Sequence, residues 1–110
     1  MNFEQFCKEQ SEWSQATFGS DIERGPIGPL KHLIKEAHEA IEALDNFDAD
    51  APMEIVDCFF LVIDASRRFG MTPSDLLTLA EKKLEINKAR KWQTGIGKNQ
   101  AIEHVREQPK

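Results

Sequence analysis

The stretch "PMEIVDCFFLVIDA", residues 52–65, decides the fold. It shows no strand-like alternation of useful length and reads as a helix that starts around Pro52 and stops near Phe69–Gly70. At about 100° per residue, Glu54, Asp57, Asp64 and Arg68 fall within an arc of about 80°, and Leu61 is the only apolar residue inside it. Met53, Ile55, Val56, Cys58, Phe59, Phe60, Val62, Ile63 and Ala65 cover most of the rest. A helix apolar around most of its circumference is expected to be largely buried. Its acids then need a partner cation or a polar cavity, because a buried unpaired carboxylate is very costly.

The surrounding chain supplies three more helices. The first is expected from about Asn2 to Phe18, with Phe3, Phe6, Cys7, Trp13 and Thr17 at helical spacing and Gly19 as the stop. "GSDIERGPIGP" (residues 19–29) reads as an ordered loop. The second helix runs from Pro29 to about Leu44, with Leu30, Leu33, Ile34, Ala37, Ile41 and Leu44 as its apolar stripe. "DNFDAD" (residues 45–50) is the turn into the third helix, so the second and third are expected to pack antiparallel. "TPSD" (residues 72–75) opens the fourth, with Thr72 as N-cap, Pro73 in the first position and Asp75 closing a capping box. That helix is expected to reach about Trp92. "TGIGKNQ" is a loop, and "AIEHVREQ" (residues 101–108) is expected to form one more short helical piece with a frayed end. The fold class is all-α, with residues 1–92 as the domain and 93–110 as a C-terminal loop and short helical tail.

With 110 residues, the chain has room for one domain around one core. Hydrophobic residues make up 40% and charged residues 30%, and the net charge is −5 with a pI near 5.2. Acidity of this size argues against a nucleic-acid polymer as partner, since such binding rests on clustered Lys and Arg. No apolar stretch approaches the length of a membrane span, and the N-terminal "MNFEQFCKEQ" lacks the pattern of a signal peptide. Cys7 and Cys58 lack metal spacing and fall on apolar helix positions, so free buried thiols are expected. A reduced, cytoplasmic protein fits these features.

The second helix carries Glu36 and Glu39 three residues apart, and the third carries Glu54 and Asp57 at the same spacing. Pairs of this kind are neighbours on a helix face. On adjacent antiparallel helices they can converge four hard oxygen ligands, which suit Mg²⁺ or Mn²⁺ rather than Zn²⁺. A Glu pair on an amphipathic helix is commonly only a solvated face. It is the second pair, set in an apolar helix, that makes the combination specific. Asp64 fits a structural role better than a further ligand.

The fourth helix changes character along one stripe. Leu76, Leu79 and Ala80 begin it, and Lys83, Asn87 and Arg90 continue it. Cations at a helix C-terminus also suit the helix dipole, which accounts for Lys82, Lys88 and Lys91. Lys83, Asn87 and Arg90, on the former core stripe, read as phosphate contacts. Four acids for metal and a basic stripe for phosphate describe a site for a metal–polyphosphate complex.

These residues resemble the MazG-like all-α nucleoside triphosphate pyrophosphohydrolases. "WSQATFG" (13–19), "RGPIGPLKHLIKEAHE" (24–39), "EIVDCFFLVIDASRRFG" (54–70) and "KLEINKARKW" (83–92) are similar to the dATP/dGTP pyrophosphohydrolase branch, seen in phages and bacteria. The resemblance spans roughly residues 10–92 and implies a four-helix bundle completed by oligomerisation, as a homodimer or homotetramer. It implies that Glu36, Glu39, Glu54 and Asp57 bind metal and that Lys83, Asn87 and Arg90 lie near the phosphates. It places Trp13, Phe18, Arg24 and His32 at the entrance, where base or sugar contact is expected. For Trp13 and Phe18, packing in the core is the competing reading. For His32 it is a simple pair with Glu36.

The expected reaction is Mg²⁺-dependent hydrolysis of a deoxynucleoside triphosphate, dATP or dGTP, to monophosphate and pyrophosphate, with Mn²⁺ as a possible substitute. About two ions are expected between the acid pairs, and Glu39 is expected to orient or deprotonate the water. Two rivals share the fold: a non-catalytic nucleotide- or metal-binding regulator, and a structural helical module whose acids pair with Arg67 and Arg68.

Overall fold

The computed structural model describes residues 1–106. Four α-helices follow one another: α1 (Phe3–Phe18), α2 (Ile27–Asp45), α3 (Ala51–Phe69) and α4 (Pro73–Ala89). Among the described residues no strand forms beyond an isolated bridge between Trp92 and His104. None of these helices is long and apolar enough to cross a membrane.

The helix ends follow from local chemistry. Asn2 Oδ1 accepts from the Gln5 amide at 2.8 Å, while Gln5 Oε1 accepts from the Asn2 amide at 3.0 Å, a reciprocal cap for α1. Thr72 and Asp75 do the same for α4, at 3.1 and 2.9 Å, as the sequence predicts. Gly70 ends α3 in the left-handed region (φ 109°, ψ 11°), which lets the Met71 N–H reach back to the Ser66 carbonyl at 3.0 Å. Two boundaries move. Pro26 occupies the N-cap position of α2, so the helix starts at Ile27 and Pro29 sits in its first turn, where no intrahelical donor is required. The fourth helix stops at Ala89, short of Trp92. The Trp92 indole donates to the Asn87 carbonyl at 2.9 Å, and its backbone faces His104 instead. The expected helical piece at 101–108 does not form over 101–106; residues 107–108 lie outside the described residues. Its backbone bonds go across to the chain after α4, with Gln93 N donating to Glu103 O at 2.9 Å and Val105 N to Lys91 O at 2.6 Å.

The chain divides into two units, Met1–Leu76 and the part from Leu77 onward. In the first unit α3 packs along α2 and also against α1. Glu36 of α2 meets Glu54 and Asp57 of α3, while His32, one turn earlier in α2, shares a cavity with Leu61, one turn later in α3. Contacts that advance in opposite directions mean an antiparallel pair. Phe6 of α1 lies over Phe59 and Phe60, with ring centroids 6.1 and 5.7 Å apart.

The buried set is small: Cys7, Pro29, Ala40, Ala51, Ile63 and Ala65, with Gln10, Ser14 and Asp64 as its polar members. Both cysteines are free as expected; Cys7 is buried, but Cys58 is only half-buried. A polar cluster ties the unit together. Arg67 donates through Nε to Asp21 Oδ2 at 2.9 Å, through Nη1 to Gln10 Oε1 at 3.1 Å and through Nη2 to Asp64 Oδ1 at 2.9 Å. Gln10 Nε2 also donates to Asp64 Oδ1 at 3.0 Å. Paired with Arg67 and Gln10, Asp64 has the structural role expected of it.

The expectation that α3 is largely buried is corrected. Met53 (64% exposed), Ile55, Val56, Phe59 and Val62 remain accessible, as do Leu30, Ile34 (64%), Ile41 and Leu44 of the α2 stripe. Three helices in one unit cannot surround a helix that is apolar on most sides.

Candidate metal centre and nucleoside cavity

Glu36 lies on the side of α2 that faces α3, and Glu54 and Asp57 answer it from the first turns of α3. One carboxylate oxygen from each lies within 4.8 Å of the others. A hard cation such as Mg²⁺ holds oxygens at about 2.1 Å, so oxygens that share one ion lie within about 4.2 Å. Glu39, the fourth expected ligand, is exposed and lies outside this trio, although its charge still bears on Glu54. Burial pushes the Glu54 carboxyl above its ordinary value, and repulsion from Asp57, Glu39, Glu36 and Asp48 pushes it further the same way. The Cys58 thiol beside them is also pushed up, first by burial and then by Glu36 and Asp57. A carboxyl held back from ionisation by burial and by acidic neighbours, as Glu54 is, gains from a cation placed beside it.

No Arg or Lys among the described residues pairs with the trio. Arg67, which the structural-module reading would place against these acids, is taken by Asp21 and Asp64. Only His32 reaches in, with Nε2 3.0 Å from Glu36 Oε1. Both expectations for His32 therefore have a structural counterpart. It forms the i,i+4 pair, and it also lines a cavity one turn along the groove.

That cavity, about 270 Å³, is bounded by Phe18, Arg24, Gly28, Pro29, His32, Leu61, Asp64 and Arg68. Three of the four expected entrance residues thus come together. Trp13 does not line the cavity; it is 54% exposed and meets Phe18 edge-on at 5.5 Å. Phe18 is 47% exposed, so neither aromatic lies in the core of this unit. Arg24 is held by its Nε, which donates to the Phe18 carbonyl at 2.9 Å. The loop can fold this tightly because Gly19 adopts φ 112°, and a Cβ there would stand 3.2 Å from Arg24 Nε. A larger cavity of about 440 Å³ opens beside Cys7, Ile63, Met71 and Leu76, and it contains none of the site residues read from the sequence.

Lys83, Asn87 and Arg90 belong to the second unit. There Arg90 Nη1 donates to Asn87 Oδ1 at 3.3 Å, and Lys83 is exposed one turn earlier on α4. Sequence reasoning missed Gly28, Pro29, Leu61 and Arg68 as cavity residues. The signal was present for two of them, because Leu61 and Arg68 fall inside the arc that carries the acids.

Comparisons with known proteins bear on this arrangement. The family model described as dATP/dGTP pyrophosphohydrolase matches residues 6–110, which includes the tail after Trp92. The Eaa protein of Salmonella phage P22 is 41% identical over 106 residues, covering 96% of this chain and 31% of that protein. The chain therefore spans about a third of the length of the curated relative it matches. Among solved structures, the cyanophage S-2L MazG-like pyrophosphohydrolase, bound to dGDP and three catalytic Mn²⁺ ions per active site, superposes with a TM-score of 0.69. It shares 25% identity and covers 96% of this chain and 99% of that one. The all-α, MazG-like fold is thereby shown.

Proposed function

We propose that the chain, which belongs to the dATP/dGTP pyrophosphohydrolase family, splits a deoxynucleoside triphosphate and water into the monophosphate and pyrophosphate. The observation that carries this reading is the convergence of Glu36, Glu54 and Asp57 beside the cavity of Phe18, Arg24 and His32, with His32 in contact with Glu36. The trio fits a divalent ion by ligand hardness, by spacing and by the burial and acidic neighbours that raise the Glu54 pKa. The cyanophage relative's Mn²⁺ ions support divalent metal use; we assign Mg²⁺ as the working ion and Mn²⁺ as its substitute. Bound there, such an ion would polarise phosphate oxygens and lower the pKa of a water.

The chain's own residues do the rest. Glu36, Glu54 and Asp57 supply the ligand oxygens. Glu39, left outside the trio, has a carboxylate available to orient a water toward the α-phosphorus and take its proton. Lys83, Asn87 and Arg90 offset charge on the departing pyrophosphate. Phe18, Arg24 and His32 hold the nucleoside, with Trp13 backing Phe18 at the rim. The uncovered apolar residues of α2 and α3 support assembly as a homodimer or homotetramer, since monomers rarely expose so large a contiguous apolar face. Sedimentation should then report a species larger than one chain.

The deciding experiment is pyrophosphate release from each dNTP and NTP with Mg²⁺ or Mn²⁺. Glu54→Gln and Asp57→Asn should each abolish it while leaving the helical circular dichroism intact. Full Mg²⁺-dependent activity in both variants would refute the proposal.

A further inference from the structure

The cavity next to the acids contains two guanidinium groups, and they differ in what they have to bind. Arg24 is anchored to the Phe18 carbonyl. Arg68 has no such partner. Its side chain is only 7% exposed, and its Nε has no hydrogen bond among the described residues. Its nearest charge, Asp21 Oδ1, stands 3.7 Å away, beyond hydrogen-bond range. The other Asp21 oxygen is already taken by Arg67. Arg68 thus keeps a long ion pair with Asp21 but makes no hydrogen bond through Nε, and a buried donor left without one is costly, so an acceptor entering the cavity would satisfy it.

Size and position say what enters. Pockets that enclose a whole drug-sized ligand run about 300–1,000 Å³, and this one, at about 270 Å³, suits a base better than a triphosphate. Phe18, Pro29 and Leu61 offer apolar surface to a planar ring. Arg68 stands three turns beyond Asp57, roughly 16 Å along α3, and helical side chains lean back toward the N-terminus, here toward the acids. Ring and triphosphate therefore fit end to end in one groove.

Arginine only donates. Guanine presents two adjacent acceptors, N7 and O6, whereas adenine presents N7 beside an N6 amino donor that would face the guanidinium donor to donor. We infer that Arg68 reads the N7/O6 edge of a 6-oxopurine, so that this chain prefers dGTP to dATP. The inference rests on the nucleotide-hydrolysing reading above and deepens it.

The test is titration of the whole chain with dGDP, dIDP, 7-deaza-dGDP and dADP in Mn²⁺, alongside pyrophosphate release from the matching triphosphates. A good bidentate contact predicts that dGDP and dIDP bind on the order of tenfold to a hundredfold tighter than dADP, with 7-deaza-dGDP in between. Arg68→Gln should flatten that ratio mainly by weakening dGDP, and Arg68→Lys should restore only part of it, lacking the fork. Wild-type protein that binds dADP as well as dGDP overturns the inference, and so does an Arg68→Gln variant that weakens all four ligands equally. If the variants fail to fold, the wild-type comparison of dIDP, 7-deaza-dGDP and dADP decides alone. Pyrophosphate release without base preference refutes only the Arg68 assignment. Neither binding nor release with any nucleotide refutes the nucleotide reading, and this assignment with it.

Discussion

Replacing Arg67 by Met tests the polar cluster that holds α1, the 19–26 loop and α3 in register. Arg67 makes three side-chain hydrogen bonds, to Asp21, Gln10 and Asp64. Its removal leaves Asp64, itself buried, with Gln10 as its one remaining bonded partner. Breaking a buried pair from one side costs about 3–5 kcal/mol. Arg67 keeps 17% of its side chain exposed, which places the loss near the lower end, about 3 kcal/mol. For a chain of this size each kcal/mol moves Tm by about 4 °C, so a fall of about 12 °C is expected. The assay is thermal unfolding followed by circular dichroism at one protein concentration, because any assembly would make Tm concentration-dependent. A companion Arg67→Met/Asp64→Leu double variant should lose less than the single one, since it removes the stranded charge as well. A fall below about 4 °C, equivalent to about 1 kcal/mol, would refute the assignment. So would a double variant whose loss equals the sum of the two single losses.

Three further outcomes follow from features of the same unit. In metal-free buffer the proton on Glu54 is held more tightly in the folded chain than in the unfolded one. Its stabilising effect is therefore complete below the ordinary carboxyl pKa and is lost as pH rises through the elevated value. Melting curves against pH should show wild type declining relative to Glu54→Gln on that upward side, and parallel curves would contradict the raised Glu54 pKa. Gly19→Ala forces a side chain into φ 112° and should cost about 1–3 kcal/mol, with nucleotide binding weakened because Arg24 is displaced; chemical denaturation and calorimetry measure the two effects. Phe47 holds a left-handed φ of 52°. Phe47→Gly relieves about 1–2 kcal/mol of backbone cost against roughly 0.4–1 kcal/mol of added unfolded-state entropy, so Tm should rise by a few degrees.

Much of the fold could be read from local signals. The Thr72–Asp75 box, the Gly70 stop and the short turn after α2 each encode their own geometry within a few residues. The acid trio was legible because helical spacing puts Glu54 and Asp57 on one face and an antiparallel neighbour brings Glu36 to it. The burial of α3 was misread for a physical reason. An apolar circumference says that a helix wants covering, but not that its own chain supplies the cover. The end of α4 was misread because Lys88, Ala89 and Arg90 carry no break signal, and the competing partner for Trp92 lies at His104, out of reach of any local window. Arg68 was visible on the helical wheel, yet its unmade Nε hydrogen bond depends on where Asp21 and Arg67 settle in three dimensions.

The hydrogen bond between His32 and Glu36 makes two sites share one residue, since His32 lines the cavity and Glu36 belongs to the acid trio. Whatever enters the cavity and engages His32 changes the oxygen that Glu36 presents to a cation, and a cation on Glu36 changes what His32 presents to the cavity. Linkage makes the two effects equal in free energy. On the proposed function, nucleoside and ion would therefore be coupled ligands, and the dissociation constant of either would have meaning only at a stated concentration of the other.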